Sequence, residues 1–192
     1  MRKVIEIDAK RGAGTLVGDH SPRPVVRSVV DDEGRALTLR TYPRLPEREL
    51  DALVGMYDDF DPADRAQGIP PAGVPQIAAW LSGLRDGSHV VASHDGDPVG
   101  HAALVPDHDG AYELAIFVHQ AYQGAHVGTT ILRSLLARAD EAGLAVRLHV
   151  ERGNRPAVAL YENLGFETVV TRPCEYTMRR PPNDGVWIDT SL

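Results

Sequence analysis

The segment from Leu114 to Thr130 constrains this chain more than any other. It begins as an apolar run, Leu114-Ala115-Ile116-Phe117-Val118, that reads as a strand. A short polar turn follows, His119-Gln120-Ala121-Tyr122, and then Gln123-Gly124-Ala125-His126-Val127-Gly128. After Thr129-Thr130 a helical pattern sets in, with Ile131, Leu132, Leu135, Leu136 and Ala139 at helical spacing and Gly143 at the C-cap position. A strand that feeds a glycine-containing turn at a helix start leaves the first amides of the helix unpaired, and the helix dipole favours an anion there. The segment therefore predicts a chain of mixed α and β structure that holds a phosphorylated ligand at this turn.

The bulk properties narrow the setting. At 192 residues the chain is long enough for one domain with a real core. With 43% hydrophobic and 24% charged residues, it has the composition of a soluble globular protein. No apolar run approaches the roughly 20 residues of a membrane span. Met1 to Asp8 carries charges where a signal peptide has an apolar core, so a cytoplasmic location is expected and a membrane partner is not. Cys174 is the only cysteine, which excludes an internal disulfide and a cysteine-based zinc site. The eight histidines form no H-x-x-x-H pair, and no metal is expected. A formal net charge of −7 argues against nucleic acid as the main partner, because phosphate contacts need clustered Lys and Arg.

Ahead of the turn, the pattern predicts short strands at Val4–Ile7 and Pro24–Val30, a turn at Asp31–Gly34 and a strand at Ala36–Arg40. Gly12 to Gly18 has the wrong spacing for G-x-G-x-x-G and no clear helix after it, so it reads as a glycine-rich loop. Helices are predicted at Pro46–Met56 and Gln76–Leu84, with a loop rich in Asp, Pro and Gly between them. Strands His89–Ser93, Val99–Val105 and Tyr112–Val118 are joined by Asp/Gly-rich turns suited to antiparallel hairpins. Beyond the turn, Leu144 to Val150 alternates: Leu144, Val146, Leu148 and Val150 share one face, and Ala145, Arg147 and His149 share the other. Pro156 opens another helix, which carries Val158, Leu160, Tyr161 and Leu164 and ends at Gly165. Late strands are expected at Phe166–Val170 and Glu175–Met178.

Two motifs in this order resemble the GNAT superfamily of N-acetyltransferases. Leu114 to Gly128 is similar to that family's strand and its Q/R-x-x-G-x-G/A turn, and a helix and an alternating strand follow as they do there. The run from Asn154 to Phe166, NRPAVALYENLGF, fits the family's N-x-x-A-x-x-L-Y-x-x-x-G-F. The resemblance covers roughly residues 35 to 180. It implies an α/β layered fold whose central sheet is mixed, mostly antiparallel, with helices on both faces. Residues 1–34 are then an N-terminal extension of short strands packed on the core, and 181–192 a C-terminal tail.

The resemblance also implies acetyl-CoA as co-substrate and a primary amine as acceptor, with direct attack between two bound substrates. The pyrophosphate would sit on the amides of Gln123, Gly124, Ala125, His126, Val127, Gly128 and Thr129. The pantetheine arm would bond to the backbone near Phe117 and Val118, where an N–H can stabilise the developing oxyanion. Tyr161 matches the family tyrosine that protonates the leaving thiolate, unless it only packs on the pantetheine. Asn154 matches a residue that bonds the cofactor arm, unless it is a helix cap. Glu113 starts the strand where relatives carry a carboxylate base; the alternative is a solvated strand end. His119 is a second candidate base. Arg133, Arg152 and Arg155 flank the turn and are candidates for the CoA phosphates.

The fourth motif position, glycine in the family, is His126 here. A histidine keeps the N–H and adds bulk, so the turn works if His126 has negative φ and points outward. Its side chain then either touches phosphate or merely tolerates the turn. The acceptor implied first is a protein lysine, ahead of a small amine or polyamine, because the segment Pro46–Pro71 loosely resembles protein lysine acetyltransferases and an acidic chain suits a cationic acceptor. A different class remains open, a non-catalytic acyl-CoA-binding sensor. The chain is expected to act as a monomer or a homodimer.

Overall fold

The computed structural model describes residues 23–62, 70–107 and 110–183. The strand expected at Val4–Ile7, the glycine-rich loop at Gly12–Gly18 and the tail beyond Asn183 lie outside the described residues. Eight strands and four α-helices follow one another as β1 (Val25–Val30), β2 (Ala36–Tyr42), α1 (Glu47–Asp58), α2 (Val74–Leu84), β3 (Ser88–His94), β4 (Asp97–Pro106), β5 (Tyr112–Val118), α3 (Val127–Glu141), β6 (Val146–Glu151), α4 (Arg155–Asn163), β7 (Glu167–Thr171) and β8 (Glu175–Arg180).

The strands form one sheet in the order β1-β2-β3-β4-β5-β6-β8-β7. Every neighbouring pair is antiparallel except β5 and β6, which run parallel and are joined through α3. The described part of the N-terminal extension is thus the edge strand β1, paired with β2 from Val25 to Val30. The β3–β4 hairpin turns on Asp95 and Gly96, both at positive φ (52° and 99°), which is what a two-residue connection with right-handed strand twist demands.

Alternation along the strands divides the core in two. Leu37, Leu39, Val90, Ala92, Ala102, Leu104, Leu114 and Leu148 face α3, whose Ile131, Leu132, Leu135 and Leu136 are fully buried, and Tyr161, Leu164 and Phe166 join them. On the opposite face, Tyr42 and Val91 pack with Leu53, Met56 and Tyr57 of α1 and Ile77 and Leu81 of α2. Gly100 lets α3 seat closely on β4: a Cβ there would stand 2.6 Å from Ile131 Cδ1. The last strand is tied back by Arg180, 4% exposed, which donates to both oxygens of Asp140 (2.7 and 2.8 Å) and to the Leu164 carbonyl (2.9 Å).

The face under α1 and α2 holds a buried polar chain. The Tyr57 hydroxyl meets His101 Nδ1 at 2.7 Å, His101 Nε2 meets His89 Nδ1 at 3.0 Å, and His89 Nε2 meets the Leu84 carbonyl at 3.0 Å. A carbonyl only accepts, so with neutral rings every proton in the chain points one way, from Tyr57 toward Leu84. Burial keeps the rings neutral: it lowers His89 to about 4 and holds His101 well below the ordinary histidine value, where the neighbouring His89 depresses it further.

Candidate active site

β5 and β6 pair only at Tyr112↔Val146 and Glu113↔Arg147. Beyond that the two strands diverge. β5 stays paired with β4 along its length, from Tyr112 to Val118. From Leu114 to Val118 its other edge therefore faces a gap, and apart from the Val118 carbonyl, which takes the Gln123 side-chain amide, its backbone groups are open to an added extended chain. The gap opens toward the turn that leads into α3.

That turn presents amides. No described residue accepts a hydrogen bond from the backbone N–H of Gly124 through Thr129. Gln123 donates its side-chain amide to the Val118 carbonyl at 3.1 Å and so fastens the turn to the end of β5. Gly124 takes φ 78°, the left-handed region that glycine enters freely. His126, the N-cap of α3, takes φ 59°. The condition of negative φ at this histidine is thus not met. The turn keeps the backbone that glycine would adopt, and a residue with a Cβ holds it at a cost of roughly 1–2 kcal/mol.

The His126 side chain explains how that strain is tolerated. Its Nδ1 bonds the Asp32 carboxylate in the β1–β2 turn. The Asp32 amide in turn reaches the Ala125 carbonyl at 3.4 Å. Arg35, from the same turn, donates to the Ala121 carbonyl at 3.0 Å and stacks its guanidinium 4.2 Å over the Tyr122 ring. Tyr122 is held from behind by His94 Nδ1 at 2.9 Å. The β1–β2 turn is therefore a brace on the outside of the turn that leads into α3. No sequence signal pointed to it, because Asp32 and His126 stand 94 positions apart.

Tyr161 of α4 packs in the core on the α3 side of the sheet, 8% exposed, its ring edge on Phe166 at 5.8 Å. No described residue bonds its hydroxyl, and burial raises its pKa to about 12. Asn154 caps α4: its side-chain oxygen accepts from the Ala157 amide at 3.2 Å, leaving the NH2 group of the same side chain to face outward contacts. Arg133 and Arg155 are exposed. Arg152 is turned away from the gap, onto the Pro173 carbonyl (3.3 Å) and the Tyr176 ring (5.3 Å).

The opposite face is built of side chains. Phe117 is half-buried against Tyr57 (5.5 Å), Trp80 (5.8 Å) and Phe60 (6.2 Å) in edge-on contacts, so α1 and α2 raise an aromatic wall beside the end of β5. His119 lies at the end of this wall with both ring nitrogens engaged: Nδ1 accepts from the Ala121 amide at 3.3 Å and Nε2 meets Asp59 at 3.0 Å. Glu113 sits at the closed end of the gap. Its register partner is Arg147, which is ion-paired to Asp107, so Glu113 leaves the sheet on the same face as a guanidinium.

Farther along that face, sequence reasoning missed a cluster. His149 on β6 lies opposite Thr177 on β8. Its Nδ1 meets Glu175 Oε1 at 3.1 Å and Thr177 Oγ1 at 3.3 Å. Arg172 donates to the same Glu175 oxygen at 3.0 Å and to Thr177 Oγ1 at 3.3 Å. The signal available was the alternation of β6, which puts His149 on the polar face of a strand otherwise buried. What it lacked was the partner on a strand 26 residues later.

Among the described residues no three or more His, Cys, Asp or Glu side chains are grouped to hold a metal ion, and no described helix is long and apolar enough to cross a membrane.

Comparison with known proteins agrees with this geometry. The model of the acetyltransferase (GNAT) family matches residues 53–166. Mycothiol acetyltransferase of Nocardia farcinica is 34% identical over 136 residues, 69% of this chain and 42% of that protein. N-alpha-acetyltransferase RimI of Mycobacterium tuberculosis is 36% identical over 110 residues, 50% of this chain and 67% of that protein. The chain thus spans less than half the length of the mycothiol acetyltransferase. Among solved structures, the GNAT domain of S. lividans PAT superposes with a TM-score of 0.67 at 16% identity, over 81% of this chain and 96% of that one.

Proposed function

The chain belongs to the acetyltransferase (GNAT) family, and we propose that it moves an acetyl group from acetyl-CoA to a primary amine by direct attack. The observation that carries this reading is the combination of an opened strand edge, Leu114 to Val118, with the unpaired amides of Gly124 to Thr129 at its end. An acyl-CoA has matching chemistry along its length: a pyrophosphate for the amides and an amide-rich pantetheine for the strand edge. Of Phe117 and Val118, the residues the resemblance assigns to the arm, Val118 offers its N–H, since its carbonyl takes the Gln123 amide and the Phe117 backbone pairs with His101, and Asn154 retains an NH2 group to offer it.

Tyr161 faces the leaving group. A phenol at about 12 is fully protonated at neutral pH, so its hydroxyl is a standing donor. Complete transfer of its proton to a thiolate of ordinary pKa, about 8.5, runs uphill by about 5 kcal/mol. Tyr161 therefore stabilises the departing sulfur chiefly as a hydrogen-bond donor, while the sulfur's final proton comes from the amine. Glu113 is the base that the family resemblance points to.

The first acceptor to test is a protein lysine side chain. An N-terminal α-amine comes second, favoured by the 36% identity to a protein named for N-alpha-acetylation. The experiment is thiol release from acetyl-CoA across lysine peptides, peptides with a free amino terminus only, polyamines and small amino acids. Release with one amine class supports transfer and names the acceptor. Acetyl-CoA binding by calorimetry with no release for any amine would overturn it in favour of a non-catalytic acyl-CoA sensor.

A further inference from the structure

We infer that His149 is the general base of this site and Glu175 its positioning residue, an assignment that rests on the acetyl-transfer reading above. Glu175 is a carboxylate and only accepts, so the proton on the neutral imidazole sits on Nδ1 and the lone pair is left on Nε2. No described residue bonds Nε2, and the His149 side chain is 28% exposed. A carboxylate that orients an imidazole while its other nitrogen stays open is the arrangement a proton acceptor needs. Arg172 fixes the carboxylate at 3.0 Å, and Thr177 adds a second contact to Nδ1 at 3.3 Å.

The place is also right. Arg147 and Glu113 form the last paired level of β5 and β6. His149 stands two residues beyond, level with Ala115, beside the β5 segment whose edge is open. It leaves the sheet on the face of Phe117 and the aromatic wall, whereas Tyr161 packs in the core on the α3 face. The gap thus has an acceptor of protons on one side and a hydroxyl donor on the other. The two bases read from the sequence are less well placed. His119 has no free ring nitrogen, and Glu113 shares the closed end of the gap with the Arg147 guanidinium.

The step balances as follows. An alkylammonium gives one proton to His149 Nε2, directly or through one water. The freed nitrogen pair forms the C–N bond at the thioester carbonyl, and the C–S bond breaks with its pair going to sulfur. The second N–H proton ends on the thiolate, and His149 returns its own proton to solvent. The charged groups around His149 are Arg147 and Glu151 on β6, Glu175 and Arg179 on β8, Arg172 before β8 and Glu113 on β5.

The test is the pH profile of kcat, followed by thiol release from acetyl-CoA with a pentapeptide that carries a free amino terminus and one lysine. Acetyl-CoA affinity is measured by calorimetry alongside. A general base must be deprotonated to act, so base catalysis gives the native kcat a limb that falls on the acid side. His149→Gln removes that limb and lowers kcat by roughly 10²–10⁴-fold, with acetyl-CoA affinity unchanged, and added imidazole restores turnover to His149→Ala. Glu175→Gln lowers kcat, since the imidazole loses the carboxylate that orients it, and leaves KM for acetyl-CoA unchanged, and Glu175→Asp restores part of the lost turnover. An intact limb in His149→Gln, or its disappearance in Glu113→Gln instead, overturns the assignment. So does an unchanged kcat in Glu175→Gln. Native protein that binds acetyl-CoA and releases no thiol with this peptide or with any amine of the panel above overturns the transfer reading and this inference together. Native turnover matched by His149→Gln overturns this inference alone.

Discussion

The two sides of the gap between β5 and β6 are made of different material. On the side where we place the cofactor the groups on offer belong to the backbone: the strand edge Leu114–Val118 and the amides of Gly124–Thr129. On the other side they belong to side chains: Phe117 and Trp80 in a wall, then His149, Thr177 and Glu175. A backbone site depends on conformation, so residue identity is loosely held wherever φ and ψ can be kept. His126 in a glycine position illustrates this. A side-chain site depends on identity, and one substitution changes its chemistry. Variants of the first kind should therefore act on KM for acetyl-CoA, and variants of the second kind on kcat and its pH dependence.

The largest expected effect lies in the wall that supports the acceptor side. His89 and His101 are neutral when folded and charge freely when unfolded. Their folded pKa values lie below the unfolded one, so the unfolded state binds more protons as pH falls. The stability they contribute is whole above about pH 6.5 and is lost as pH drops toward about 4, by about 3 kcal/mol for His89 alone. Urea midpoints between pH 7 and 4.5 check this. A paired His89→Leu and His101→Leu variant should flatten that dependence, while leaving Tyr57 with a buried unsatisfied hydroxyl. An equally steep acid loss in that variant would place the titrating groups elsewhere.

Tyr161→Phe comes next and tests the rule from its weak point, because Tyr161 is the one side chain to which we assign chemical work on the proposed cofactor side. It should lower kcat by roughly 100-fold and leave acetyl-CoA affinity within twofold, since the ring and its packing on Phe166 remain. An unchanged kcat would reduce Tyr161 to packing. A large loss of affinity would make it a binding residue instead.

The same contrast governs what the sequence made legible. The order of strands and helices, the α3 turn and α4 followed from periodicity, glycine positions and two linear motifs. These are local relations, and backbone sites are local too. β7 and β8 were legible as strands, but nothing in one sequence says that β8 inserts between β6 and β7. That insertion is what brings Glu175 to His149, so the cluster stayed hidden although His149 had been placed on the right face. Tyr57, His101 and His89 were hidden for the same reason, since each looks like an ordinary aromatic or strand residue until three elements meet. Asp32 belonged to what read as a simple turn, and only the sheet order β1-β2-β3-β4-β5 folds that turn back onto α3.

The brace on the turn that leads into α3 gives the smallest effects and the sharpest sign. Asp32 is a carboxylate beside the turn where we place the pyrophosphate, so Coulomb's law alone predicts that Asp32→Asn tightens acetyl-CoA binding. If its work is to hold His126 and Ala125 in the amide-presenting conformation, the same substitution weakens binding. We expect KM for acetyl-CoA to rise severalfold with kcat unchanged. His126 separates the two contributions further. His126→Gly loses the exposed pair with Asp32, worth about 0–1 kcal/mol, and relieves left-handed strain of roughly 1–2 kcal/mol. His126→Ala loses the pair and keeps the strain. The glycine variant should thus be as stable as the native protein, or slightly more so, and the alanine variant less stable than glycine by about 1 kcal/mol. Equal stabilities for the two would mean that the turn rearranges when the histidine leaves, and the cofactor side would then depend on a side chain after all.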